Sequence, residues 1–106
     1  DKVPALGLPF AEQRGISSHH IFPVLLPEGI QRETFRETLK ADGIQTSFHY
    51  PPVHHFRIYR KEGEKLRMTE SAARRQVTLP LFPAMTDEQQ DLVIEAVIKY
   101  LSPAKK

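Results

Sequence analysis

The sequence predicts an α+β fold in which a small antiparallel sheet of about three strands carries its helices packed on one face. Segments of strand character alternate with segments of helical periodicity, in the order strand, helix, strand, loop, helix, strand, helix. The chain has 106 residues, of which 40% are apolar and 26% are charged, and this suits one ordinary globular domain. No internal repeat is present in the sequence.

Three short segments rich in β-forming residues are the predicted strands, at 19–27, 44–50 and 77–83. The first ("HHIFPVLLP") is apolar at both parities, which predicts that both of its faces are covered. Its Pro23 cannot donate to a ladder and therefore indicates an edge position or a bulge. The second ("IQTSFHY") alternates between apolar and polar residues and must end at the proline pair that follows.

Three segments have helical character, at 30–43, 69–76 and 86–101. In the first, Phe35 and Leu39 form a narrow apolar stripe, and Gly43 suits the left-handed end of a helix. In the second, Thr69 is the expected N-cap, and Glu70 in the first turn favours the helix dipole.

The last predicted helix is the best defined of the three. Thr86 and Gln89 have the spacing of a capping box. A wide apolar stripe follows, made of Leu92, Val93, Ala96, Val97, Tyr100 and Leu101. A helix of this size is about 24 Å long, enough to lie across a small sheet.

The predicted domain covers residues 17–102. Residues 1–16 carry prolines and glycines without periodicity and are expected to form an extended arm or linker, and 103–106 form a polar tail. Residues 53–68 are expected to be a loop with at most a short helix after Pro52, and loops of that length are usually functional. Because the chain lacks an initiator Met, we expect it to be a fragment of a longer protein.

The composition excludes several functional classes. The chain has no Cys, so disulfides, thiolate metal sites and cysteine nucleophiles are excluded. The net charge of +2 is too small to predict a nucleic-acid partner. No apolar run reaches the roughly 18 residues of a membrane span, and we expect a cytoplasmic protein without a membrane partner.

The stretch "SFHYPPVHH", which starts at Ser47, contains three of the five histidines. A metal site at His49, His54 and His55 would need converging ligands, usually with a carboxylate or Cys among them. No acidic residue lies between Asp42 and Glu62, and no pair of these histidines has helical i,i+4 spacing. The ligand rules therefore predict no metal site.

Other chemistries are weaker still. Ser47 and Ser71 lack the turn that marks a nucleophilic serine, and the chain has neither a phosphate-binding Gly-rich loop nor a Walker lysine. The strand motif of aromatic residues typical of RNA-binding α+β domains is also missing. A run of basic residues follows the histidines, with solvation as its expected role: Arg57, Arg60, Lys61, Lys65 and Arg67.

Three motifs in order, "SSHHIFPVLLP", "GIQTSFHYPPVHH" and "VTLPLFPAMTDEQQDLVIEAV", resemble the C-terminal subdomain of the DegT/StrS family. These are pyridoxal-phosphate-dependent sugar aminotransferases of fold type I. The resemblance covers roughly residues 17–101. Val53 stands where the family often has Leu, and Pro52 is an additional proline; neither disturbs the His/Tyr pattern.

The resemblance implies that a missing N-terminal large domain holds pyridoxal phosphate through a Schiff-base lysine. The parent enzyme would transfer an amino group, typically from glutamate, to a nucleotide-linked keto sugar, and would act as a homodimer. His49, Tyr50 and His54 would form part of the substrate-site wall, because imidazole and phenol can hydrogen-bond sugar hydroxyls or a diphosphate. Whether His55 or His20 contributes is left open.

No lysine of this chain fits the Schiff-base role, because a catalytic lysine must be desolvated or cofactor-linked, and all of these lie on polar faces, in loops or in tails: Lys2, Lys40, Lys61, Lys65, Lys99, Lys105 and Lys106. We therefore expect no catalytic and no cofactor-binding residue here and an inactive isolated fragment. Two alternatives remain open: a sugar dehydratase of the same family, and an autonomous α+β module that binds nucleotides or RNA.

Overall fold

The computed structural model describes residues 2–102. Its elements follow in the order β1 (Phe22–Leu25), α1 (Arg32–Ala41), a 3-10 turn (Val53–His55), α2 (Arg67–Arg75), β2 (Gln76–Leu79) and α3 (Asp87–Leu101). The predicted polar tail at 103–106 lies outside the described residues. No helix within residues 2–102 combines the length and the apolar character that crossing a membrane requires.

The sheet is antiparallel, as predicted, and the α+β class is confirmed. β1 pairs with β2 in a register that places Val24 opposite Val77. The number of strands is two within the described residues, not three. The segment 44–50 lies beside the free edge of β2 and joins it at one position only, where Ser47 and Thr78 exchange two backbone hydrogen bonds of 3.2 and 2.8 Å.

The third strand does not develop, because the positions on either side of the Ser47–Thr78 pair cannot continue the ladder. In this register the next pair on one side would need a backbone N–H from Pro80, which has none. On the other side, the N–H of His49 donates to the side-chain Oε1 of Gln76 at 2.9 Å, in place of the Gln76 backbone carbonyl. The alternation of apolar and polar residues in 44–50 thus predicted a strand, but β2 cannot continue the ladder beyond one pair.

The other edge of β1 is covered by the N-terminal arm. Gly7 and Leu25 exchange two backbone hydrogen bonds of 2.8 Å each, and Leu6 packs against the core. Pro23, two residues from Leu25, places its missing N–H on this same edge, where a ladder hydrogen bond is dispensable. Its position agrees with the edge location that the sequence indicated.

The core lies between the sheet and the helices α1 and α3. It consists of Val24, Leu26, Phe35, Leu39, Ile44, Val77, Leu79, Val93, Ala96 and Val97. Because side chains alternate along a strand, Val77 and Leu79 face this core while Gln76 and Thr78 project from the opposite face of β2. This second face is polar, and the segment 44–50 runs alongside it.

The predicted N-terminal cap is correct for α3 and incorrect for α2. At α3, Gln89 N–H donates to Thr86 Oγ1 (3.2 Å) and Thr86 N–H donates to Gln89 Oε1 (3.0 Å), so the capping box is confirmed. The prediction of Thr69 as N-cap was wrong, because α2 begins two residues earlier. Its cap position is Leu66, whose N–H donates to the carboxylate of Glu70 at 3.3 Å.

Candidate functional site

His49 is anchored to the polar face of β2. Its backbone N–H donates to Gln76 Oε1, and its ring Nδ1 lies 2.9 Å from Thr78 Oγ1. Gln76 Nε2 donates to the same hydroxyl at 3.0 Å, so both buried polar side chains of the strand are satisfied. The contact with Thr78 orients the imidazole through Nδ1, and none of these three contacts uses Nε2.

His49 and Tyr50 form a pair at the end of the segment. Their rings meet edge to face, with centroids 4.9 Å apart, and the peptide bond between them is cis. Tyr50 is 71% exposed, so its phenol is accessible. His49 lines a cleft of about 660 Å³ whose wall also includes His20 and Ser47.

Helix α1 holds the same segment from its other side. The guanidinium of Arg36 donates to the backbone carbonyl of Thr46 at 3.1 Å, and Arg32 lies over the ring of Phe48 at 4.3 Å from its centroid. Glu33 accepts a hydrogen bond from Arg32 at 2.9 Å and one from Arg36 at 2.8 Å. The hydrogen bond from Arg32 and the charges of both arginines lower the pKa of Glu33.

His54 and His55 belong to a second group, on the 3-10 turn. The Nε2 of His54 lies 3.1 Å from Glu70 Oε1, and the Nε2 of His55 lies 3.6 Å from the same oxygen. The His54 side chain is 9% exposed and that of His55 is 56% exposed. The hydrogen bond from His54, followed by the backbone N–H of Leu66, lowers the pKa of Glu70.

The structure thus separates the predicted site residues into two groups. His49 and Tyr50 are together beside the cleft, whereas His54 lines a different hollow of about 480 Å³, shared with His55 and the loop around Gly63. The two groups lie on either side of the Pro51–Pro52 pair and have different surroundings.

Sequence reasoning missed three residues that position these groups: Gln76, Thr78 and Glu70. Gln76 and Thr78 share one parity of an otherwise apolar strand, which was an available signal for a polar face that needs partners. For Glu70 the sequence indicated only a helix-dipole role, and nothing local pointed to a histidine 16 positions earlier.

The family model that matches the chain is that of the DegT/DnrJ/EryC1/StrS aminotransferase family, over residues 2–98. The chain is similar to the dTDP-4-dehydro-2,3,6-trideoxy-D-glucose 4-aminotransferase of Saccharopolyspora spinosa, with 36% identity over 98% of this chain and 29% of that protein. It is also similar to the spore coat polysaccharide biosynthesis protein SpsC of Bacillus subtilis (strain 168), with 35% identity over 91% of this chain and 27% of that protein.

The fold is shared with a solved structure. DesV of S. venezuelae, crystallised in complex with a ketimine intermediate, superposes with a TM-score of 0.82 and 33% identity, over 97% of this chain and 28% of that one. The chain therefore spans less than a third of the length of the relatives it matches. Since the family model covers nearly the whole chain, the chain belongs to the DegT/DnrJ/EryC1/StrS aminotransferase family.

Proposed function

We propose that this chain is the C-terminal part of a pyridoxal-phosphate-dependent aminotransferase that moves an amino group from glutamate to a keto sugar carried on a nucleotide. The observation that carries the proposal is the pattern of coverage. The match takes in 98% of this chain but only 29% of a sugar 4-aminotransferase. The remainder of the parent enzyme would supply a large N-terminal domain, and the parent would act as a homodimer.

The cofactor is assigned to that remainder, because the described lysines do not fit it. A Schiff-base lysine is desolvated, and its pKa is lowered so that the amine is free to react. The described lysines are all exposed: Lys2, Lys40, Lys61, Lys65 and Lys99. The pKa of Lys99 is raised, first by its hydrogen bond with Tyr100 and then by the charge of Asp42. The predicted tail lysines, Lys105 and Lys106, lie outside the described residues.

The contribution of this chain would be one wall of the substrate site, formed by His49 and Tyr50. His54 was predicted for the same wall, but its Nε2 lies against Glu70 and it lines the separate hollow, so we assign it no substrate contact. The anchored His49 can present Nε2 to a sugar hydroxyl or a diphosphate oxygen, and the phenol of Tyr50 can donate or accept. The cofactor supplies the carbanion chemistry, and these groups would orient the substrate.

A second feature supports a large missing partner. From the 3-10 turn to the first turn of α2, six large apolar side chains are exposed: Val53, Phe56, Ile58, Tyr59, Leu66 and Met68. Exposed apolar side chains concentrated in one segment suit a surface that another body covers. We assign this 53–68 surface to the rest of the parent chain.

The test compares the 106-residue chain with the full-length parent. Each is incubated with pyridoxal phosphate, glutamate and a dTDP-linked keto sugar, and amino sugar formation is followed by mass spectrometry. We expect product from the parent and none from the fragment. A parent that eliminates water from the sugar would replace transamination by the dehydratase reaction. Tight, salt-sensitive binding of single-stranded RNA by the 106-residue chain would instead favour an autonomous module.

A further inference from the structure

Three potential metal ligands meet where the 3-10 turn packs against the start of α2. One ring nitrogen each of His54 and His55 and a carboxylate oxygen of Glu70 lie within 4.8 Å of one another. We propose that His54, His55 and Glu70 form a binding site for a divalent transition-metal ion of the Zn²⁺ class. This site goes beyond the aminotransferase function and does not depend on it.

The spacing of the ligand atoms agrees with such an ion. Ligands about 2.0–2.1 Å from Zn²⁺ in tetrahedral geometry lie about 3.4 Å from one another. The distances from Glu70 Oε1 to the two imidazoles are 3.1 and 3.6 Å, one slightly shorter and one slightly longer than this value. Only the approach of the two imidazoles to each other would need adjustment, and His55 is exposed enough to move.

Two of the three ligand side chains are already held in place without an ion. His54 is almost completely buried, and the carboxylate of Glu70 is fixed by the backbone N–H of Leu66. In the ion-free arrangement, the N–H of His54 donates to the carboxylate at 3.1 Å. A metal ion would replace this proton, since metal binding and ligand deprotonation are coupled. Imidazole and carboxylate together suit Zn²⁺ better than Mg²⁺, which prefers oxygen ligands.

The charged side chains around the hollow have opposite effects on the binding of a cation. Arg60, Lys61 and Lys65 line it and disfavour a cation, whereas Glu62 and Glu64 line it and favour one. All five are exposed, so salt screens them more than it screens the buried His54. Water or one of these two loop carboxylates would complete the coordination of the ion.

This proposal revises the expectation from sequence that no metal is bound. That expectation depended on the absence of a carboxylate between Asp42 and Glu62. The structure places Glu70 beside the histidines, and the ligand set then has the carboxylate that the sequence argument required.

The experiment is calorimetric titration of the 106-residue chain and of the full-length parent with ZnCl₂, with MgCl₂ in parallel. We expect one saturable Zn²⁺ equivalent and no Mg²⁺ binding. Glu70→Gln and His55→Ala should each weaken Zn²⁺ binding by at least about tenfold, as loss of a ligand or its support does. His19→Ala, which removes an exposed histidine outside the cluster, should leave the affinity unchanged.

His55→Ala keeps the test valid if Glu70→Gln destabilises the fold, because His55 is largely exposed. The proposal is overturned if wild-type protein shows no saturable binding, or if both cluster variants bind as wild type does. Substrate and cofactor are absent from the titration. A negative result would therefore leave the aminotransferase proposal intact, and inactivity of the parent would leave the metal site intact.

Discussion

At the residue scale, the Thr78 hydroxyl joins two side chains on the polar face of β2. It contacts the ring of His49 and accepts from Gln76, and its own residue is buried. A buried polar group that loses its hydrogen-bond partner destabilises the fold, because its desolvation is no longer offset. Thr78 therefore links the stability of the sheet to the orientation of His49, the histidine that we propose for the substrate wall.

We expect Thr78→Val to lower the free energy of unfolding by about 1–3 kcal/mol, because Gln76 and His49 both lose a partner. Urea unfolding of the 106-residue chain measures this. The matched control is Thr34→Val on the exposed side of α1, expected to stay within about 0.5 kcal/mol. Equal stability of the Thr78 and Thr34 variants would show that the network contributes nothing.

Tyr50 is proposed for the same substrate wall, but it does not support the fold. Because its side chain is largely exposed, Tyr50→Phe should leave the stability of the full-length parent within about 0.5 kcal/mol of wild type. Loss of one hydrogen bond to substrate, about 0.5–1.5 kcal/mol, should lower kcat/KM by roughly two- to twelvefold. Steady-state kinetics with the dTDP-linked keto sugar checks this, and unchanged kcat/KM would remove Tyr50 from the substrate wall.

At the element scale, α1 and the N-terminal arm each hold an edge of the sheet region. α1 reaches the segment 44–50 through Arg32 and Arg36, which the carboxylate of Glu33 bridges. The arm meets β1 through Gly7, where a Cβ would come within 3.0 Å of Leu25 Cβ. In one case the attachment is electrostatic, and in the other it depends on the absence of a side chain.

The carboxylate of Glu33 should make stability depend on pH in the acidic range. Because its folded pKa lies below the ordinary value of 4.5, its contribution is present above about pH 4.5 and is lost as pH falls through the folded pKa. Glu33→Gln should lower the free energy of unfolding by about 0.2–1 kcal/mol near pH 7, since the Glu33 carboxylate is largely exposed, and this loss should vanish in strong acid. Urea titrations from about pH 7 to about pH 3 measure the difference.

Glu37→Gln on the same helix is the control, since Glu37 lies outside the Arg32–Glu33–Arg36 cluster. A difference between Glu33→Gln and wild type that persists unchanged at the lowest pH would contradict this account.

For the arm, we expect Gly7→Ala to lower the free energy of unfolding by about 1–3 kcal/mol, because the added methyl forces the arm away from Leu25. Gly15→Ala is the matched control, since a Cβ there meets nothing within 4 Å. Chemical denaturation of both variants gives the comparison. If the two variants are equally stable, the arm does not contribute to the domain as its hydrogen bonds indicate.

At the scale of the whole molecule, the 53–68 surface would distinguish the isolated chain from the longer parent that we propose. Ile58 and Met68 are 82% and 85% exposed, and large apolar patches of this kind promote association. We expect the isolated chain to self-associate in sedimentation velocity experiments, and the double variant Ile58→Lys, Met68→Lys to shift it toward monomer. An isolated wild-type chain that stays monomeric throughout the concentration series would argue against a covered surface there.

The sequence alone determined the α+β class, the two helices α1 and α3, and the family resemblance, because periodicity, caps and motif order are local properties of the chain. The apolar stripe predicted for α3 was right for Val93, Ala96 and Val97 but wrong for Leu92, which is 50% exposed. The sequence also located the two groups of candidate residues, since they occur within one short stretch. The sequence could not predict the extent of the third strand, because a strand forms only where its neighbour can pair with it. Here Pro80 and the Gln76 side chain interrupt the ladder between the segment 44–50 and β2.

Only the tertiary structure decided which groups meet. Thr78 is 29 residues from His49, and Glu70 is 16 residues from His54. Because the partners are so far apart along the chain, local periodicity cannot predict either contact. The packing of α2 and β2 against the histidine-rich turn brings them together. This packing fixes His49 by its Nδ1, and it gives His54 and His55 the carboxylate that ligand counting along the chain could not supply.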